Sequence, residues 1–150
     1  MTRRQRVLAA VSVVLAACVM TGCVTPATGR DSYVGKASNS VDAATSEVET
    51  ARINVRLLID SRIIATYAKR SLSESETALG AITAAFGSVT PPVDADQLRT
   101  RVNRLLTRSE DAVASARIAA QRSDLAGLQR AAVRLQNVSD ALSQAGETLS

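Results

Sequence analysis

Residues 34–58, VGKASNSVDAATSEVETARINVRLL, decide the fold class. Val34, Ala37, Val41, Ala44, Val48, Ala51, Val55 and Leu58 recur at alternating spacings of three and four. A seven-residue apolar period puts all eight side chains on one stripe of a helix. Valine fills one row of that stripe and alanine most of the other. Small side chains let a neighbouring helix approach closely. A strand would need strict alternation, and the stretch has none. Asp31 or Ser32 is the expected N-cap, because a short polar side chain there can accept from an unpaired backbone N–H.

The same period returns three times downstream. Ala68, Leu72, Ser75, Leu79, Ile82, Phe86 and Val89 form the second stripe. Gly87 and Pro91-Pro92 supply its stop. Leu98, Val102, Leu105, Ser109, Ala112, Ala116 and Ala119 form the third, and Asp94 with Gln97 makes a capping-box pattern before it. Leu128, Ala131, Leu135, Val138, Leu142, Ala145 and Leu149 form the fourth, after a break and cap at Ser123-Asp124. The first two helices are separated by neither Pro nor Gly, and the expected break lies at Ile64 to Thr66. No hairpin dipeptide or alternating run argues for a strand.

Short connections make sequential helices antiparallel. The expectation for residues 31–150 is therefore an all-α, up-down-up-down four-helix bundle. Two hairpins stacked as helical repeats are the alternative. Alanine makes up 22 of the 128 residues from Cys23 onward, which favours helix and close packing.

Working outward to the N-terminus, Thr2-Arg3-Arg4-Gln5-Arg6 is a short positive segment, and Val7–Met20 is a mostly apolar run. A transmembrane helix needs about 20 apolar residues, so this run is short for spanning and suits the apolar region of a secretory signal. It ends in Val19-Met20-Thr21-Gly22-Cys23. That ending resembles the lipobox of bacterial lipoproteins, an aliphatic residue and two small residues before Cys. The resemblance implies cleavage between Gly22 and Cys23 and a diacylglyceryl group on the Cys23 sulfur. Residues 1–22 are then the signal peptide and 23–30, rich in Thr, Pro and Gly, a flexible tether. Cleavage further on, after a small residue such as Ala27, or an uncleaved anchor are the competing outcomes. Arg6 occupies the place where twin-arginine export expects an aromatic residue. The layout of helices, with Ser73-Glu74-Ser75-Glu76 and Pro91-Pro92, is similar to small helical lipoproteins of high-GC Gram-positive bacteria. That resemblance brings no activity with it.

Composition narrows function. The chain has 18 Lys plus Arg, 14 Asp plus Glu and no His. Without His there are no His metal ligands, no Ser-His-Asp or Cys-His nucleophile systems, and no imidazole acid–base chemistry. Two Tyr, one Phe and no Trp leave no stacking platform for single-stranded nucleic acid. Both cysteines, Cys18 and Cys23, lie in or at the end of the signal segment. Arg3, Arg4 and Arg6 leave with it, so 15 basic residues face 14 acidic ones, a net +1. No nucleophile elbow or phosphate loop is present. Glu47, Glu49, Glu74 and Glu76 come in pairs two apart, which point to different helix faces and read as solvated rather than metal-binding.

Two constellations remain. Arg99, Arg101, Arg104 and Arg108 form the densest basic segment, and the last three share one helix face. They suit anionic headgroups or an acidic partner, or simply a solvated face. Arg56, Arg62, Tyr67 and Glu76 are placed by the helix register near the first turn, as a satisfied polar cluster or a small ligand niche. The expected role is a non-catalytic protein-interaction or scaffold module, held at the extracytoplasmic face of the membrane by lipid on Cys23. An envelope protein is the expected partner, with no cofactor, metal or nucleic acid. A ligand-binding or sensor bundle using the niche is the alternative.

Overall fold

A computed structural model describes residues 29–149. The expected signal peptide, Cys23 and nearly all of the tether lie outside the described residues. Four helices take up 86% of them, with no strand among them. They are α1 (Arg30–Ile59), α2 (Ala65–Gly87), α3 (Asp96–Gln121) and α4 (Leu125–Leu149). Each packs on its neighbour in sequence, and α4 closes the ring against α1. The up-down-up-down bundle expected from the four apolar stripes is the observed fold. The first turn and the third lie at one end. The chain's entry into α1, the second connection and the end of α4 lie at the other.

The cross-section is a rhombus rather than a square. α1 also touches α3 across the bundle, whereas α2 and α4 do not meet. The cause is side-chain size. Ala37, Ala44 and Ala51 on α1, and Ala112, Ala116 and Ala119 on α3, are all buried. Small side chains at a contact let two helix axes approach more closely. Leucines dominate the buried face of α4.

The stripes account for most of the core, with two additions. Tyr33, one residue ahead of the first stripe, is fully buried and sets its ring 5.6 Å from Phe86 at a 42° tilt. Leu106, Val113 and Ala120 are buried beside the third stripe, because α3 faces three partners and needs a wider apolar face.

Several boundaries differ from expectation. α1 begins at Arg30, with Gly29 as its N-cap residue and Tyr33 N–H donating to the Gly29 carbonyl. Asp31 falls in the first turn, where its charge suits the positive end of the helix. The first break spans Asp60–Ile64, ahead of the expected Ile64 to Thr66. Ser61 makes it, taking a left-handed φ of 55°. Its N–H donates to the Leu58 carbonyl and that of Arg62 to the Leu57 carbonyl, the paired bonds of a Schellman cap. The third turn repeats it: Ser123 has φ 53°, and Ser123 and Asp124 donate to Ala120 and Ala119. Gly87 is the last residue of α2 but has no positive φ, and the helix stops at Ser88 with the Pro91-Pro92 segment beyond.

The start of α3 also departs from the capping-box reading. Asp94 reaches Arg30 at 2.5 Å, and the N-cap residue, Ala95, makes no side-chain cap bond. At α4 the expected cap is present: Gly127 N–H donates to Asp124 Oδ1 at 2.9 Å. A Cβ on Gly127 would press on the Asp124 carboxylate and lie 3.1 Å from the Ala119 Cβ, so a larger residue there would have to displace the capping side chain.

Candidate functional site

The sequence places Arg56, Arg62, Tyr67 and Glu76 at one end of the bundle. The structure keeps the first three near the first turn and leaves them open to solvent, Tyr67 at 57% exposure. No side-chain hydrogen bond or ion pair joins them among the described residues. Glu76 is turned to α3, where the Arg117 guanidinium grips its carboxylate through Nε and, at 3.1 Å, Nη2. Arg117 also donates to Gln121 at 3.1 Å. This clasp holds α2 to α3 and raises the Arg117 pKa through the hydrogen bond to Glu76. The four residues therefore do not line a common enclosed pocket.

A larger polar network lies between α1 and α4. Arg52 clamps Glu49 through Nε and Nη2, the latter at 2.6 Å, and reaches Gln136 at 3.2 Å. Ser139, nearly buried on α4, donates to Glu49 Oε1 at 2.5 Å. The Arg52 hydrogen bond is the main force holding the Glu49 carboxyl below its usual range. Partial burial opposes it, and Ser139 adds to it. Asn54 completes the polar inventory of α1, donating to Ser71 on α2 at 3.0 Å. These residues specify register between helices. The Glu49–Arg52 pair is an i,i+3 pair within α1, whereas Gln136, Ser139 and Ser71 lie on other helices and no signal in one helix alone predicts those contacts.

Among the described residues three buried polar atoms have no hydrogen-bond partner: Tyr33 Oη, Thr83 Oγ1 and Glu110 Oε1. Burial raises the Tyr33 pKa, with Arg99 opposing and Asp96 assisting. Among the described residues no group of His, Cys, Asp and Glu could hold a metal ion. No described helix is long and apolar enough to cross a membrane.

The surface carries two other features. One is apolar. Ile64 is 73% exposed, and Tyr67, Ile53, Ile118 and Leu125 are exposed with it. Ile64, Tyr67 and Leu125 flank the first and third turns, while Ile118 and Ile53 lie within about two turns of them. All five lie toward the end opposite the chain's entry, while Val133 on α4 and Val93, in the second connection at the other end, are exposed as well.

The other feature is basic. Arg101, Arg104 and Arg108 of the sequence-predicted patch line one depression between α3 and α4. Arg108 and Arg134 line a second, and Arg134, Arg130 and Arg122 a third. Shared residues join the three into one trough along the α3/α4 seam. Arg99, the remaining member of the patch, is half-buried and faces Tyr33 electrostatically.

Comparison with known proteins adds no relative: no family model, curated protein or solved structure matches this chain.

Proposed function

We propose that this chain is an extracytoplasmic lipoprotein whose bundle is a non-catalytic protein-interaction or scaffold module at the cell envelope. The lipobox-like Thr21-Gly22-Cys23 supplies the anchor, through lipid on the Cys23 sulfur. The observation that carries the recognition half of this reading is the exposed apolar group around Ile64, Tyr67 and Leu125. Exposed apolar residues brought together on a small domain mark interaction surfaces. Their position at the far end from the tether presents them away from an anchoring membrane. Arg56 and Arg62 beside them provide a charged rim.

The sensor alternative requires an enclosed pocket, and the depressions on this bundle are open. A bundle with no His and no nucleophile motif has little with which to run a reaction.

The anchor is tested by labelling cells with a fatty-acid analogue. The parent chain takes up label and fractionates with membranes, and Cys23→Ala loses both; equal labelling of Cys23→Ala removes the anchor from the proposal. Recognition is tested with a photocrosslinking side chain at Tyr67 and, for comparison, at Gly80. A discrete adduct specific to position 67, and lost on Ile64→Asp, supports the reading. Equal adducts at both positions, or none, refute it.

A further inference from the structure

The α3/α4 trough is a strongly basic feature of the surface. It is lined by six arginines, Arg101, Arg104, Arg108, Arg122, Arg130 and Arg134, and two acids, Asp111 and Asp124. From Cys23 onward the chain has 15 basic and 14 acidic residues. The trough takes six of the former and two of the latter, leaving nine basic against twelve acidic residues elsewhere. A nearly neutral domain has thus separated its charge, and the positive part runs along one seam.

Among the described residues most of the trough arginines carry no carboxylate partner, as is also true of Arg56, Arg62 and Arg99. Elsewhere Arg30, Arg52, Arg70 and Arg117 are each paired with an acid at 2.8 Å or closer. In the trough only Arg130 has an acid, Asp124, at a loose 3.6 Å, and Arg134 donates to the neutral Ser115 at 3.3 Å. A further depression shares Asn137, Ala141 and Gln144 with the trough and brings two more acids, Asp140 and Glu147, to its edge.

We propose that this trough binds a free linear polyanion built of repeated phosphates without bases. Four observations select that chemistry. All six cations are arginines, whose planar fork matches phosphate oxygens two at a time, whereas Lys36 and Lys69 lie on α1 and α2. The charges run from Arg101 to Arg122, about 30 Å at the rise of an α-helix, which suits an extended chain better than a single small anion. No aromatic side chain lines the trough, so nucleic-acid bases would find nothing to stack on. The surface is concave and offers only Ile118 as an exposed large apolar side chain, which is poor equipment for a flat membrane. This site does not depend on lipidation at Cys23, and it meets the apolar end only at Ile118.

The test titrates the full chain with long-chain inorganic polyphosphate by fluorescence anisotropy, at low and at raised salt. Binding is expected, weakening steeply with salt as counterion release requires. Arg101→Gln/Arg104→Gln/Arg108→Gln and Arg122→Gln/Arg130→Gln/Arg134→Gln are each expected to weaken binding by about tenfold or more. Lys36→Gln/Lys69→Gln/Arg70→Gln removes the same charge from outside the trough and should change affinity by less than about twofold. Circular dichroism checks that all three variants remain folded. The proposal is overturned by no binding of polyphosphate, by equal losses in all three variants, or by binding to phosphatidylglycerol vesicles in preference to polyphosphate.

Discussion

Ser61 and Ser123 occupy the same position in two turns of one design. Each is the left-handed residue that follows a helix C-cap, with φ of 55° and 53°. Each is followed by a residue whose N–H reaches back five positions, Arg62 to Leu57 and Asp124 to Ala119. The bundle thus closes both of its turns at this end with a side chain in a conformation that favours glycine.

Relieving that conformation should stabilise the fold. Ser61→Gly and Ser123→Gly are each expected to gain about 0.5–1 kcal/mol in urea unfolding, minus a small loss from the greater freedom of glycine in the unfolded chain. The sites are in separate turns, so the double variant should approach the sum.

The opposite sign is expected at Gly127. Gly127→Ala puts a methyl against the Asp124 carboxylate and Ala119, disrupting the α4 cap and crowding α3. A loss of roughly 1–3 kcal/mol is expected. Gly80→Ala is the matched control, since a Cβ there meets nothing within 4 Å. It should gain about 0.5–1 kcal/mol, as alanine does over glycine inside a helix.

Glu49 makes stability depend on pH at the acid end. Its folded pKa lies below its unfolded value, chiefly through the Arg52 hydrogen bond. Its contribution is therefore complete above the ordinary carboxylate pKa. It fades as pH falls from there through the depressed folded value. Glu49→Gln should flatten the stability profile across that window, measured by chemical denaturation at a series of pH values. An unchanged slope would show that the Arg52–Ser139 network does not hold the charge.

Tyr33→Phe removes a buried hydroxyl that has no partner while keeping the ring beside Phe86. The expected change in stability is neutral to a gain of about 1 kcal/mol, because an unsatisfied buried polar group is a cost. Phe86→Ala in the same contact should lose about 3–5 kcal/mol. Ultraviolet titration of the parent should show a phenol ionising above its ordinary range, and Tyr33→Phe should abolish that step.

How much of this was legible follows from which forces act within one helix. The four apolar stripes are local patterns, and nearly every stripe residue is buried. The Asp124 cap is also local, and it is present. What failed locally did so for tertiary reasons. Asp94 serves Arg30 rather than its own helix. Glu76 was assigned to the first turn by its register on α2, but Arg117, 41 positions away, claims its carboxylate. The Arg101–Arg108 face was visible in the sequence. Its continuation through Arg134, Arg130 and Arg122 was not, because that requires knowing that α4 lies antiparallel beside α3.

The rhombic packing has a mechanical consequence. The chain enters the bundle through α1, which like α3 touches all three other helices. A pull on the N-terminal segment along the axis cannot peel α1 away one contact at a time. It must slide three interfaces together, in shear. The same pull applied to the C-terminal end of α4 loads only two, and there α4 has no grip on α2. The bundle is therefore built to bear tension from its N-terminal side, and its α4 end should yield first.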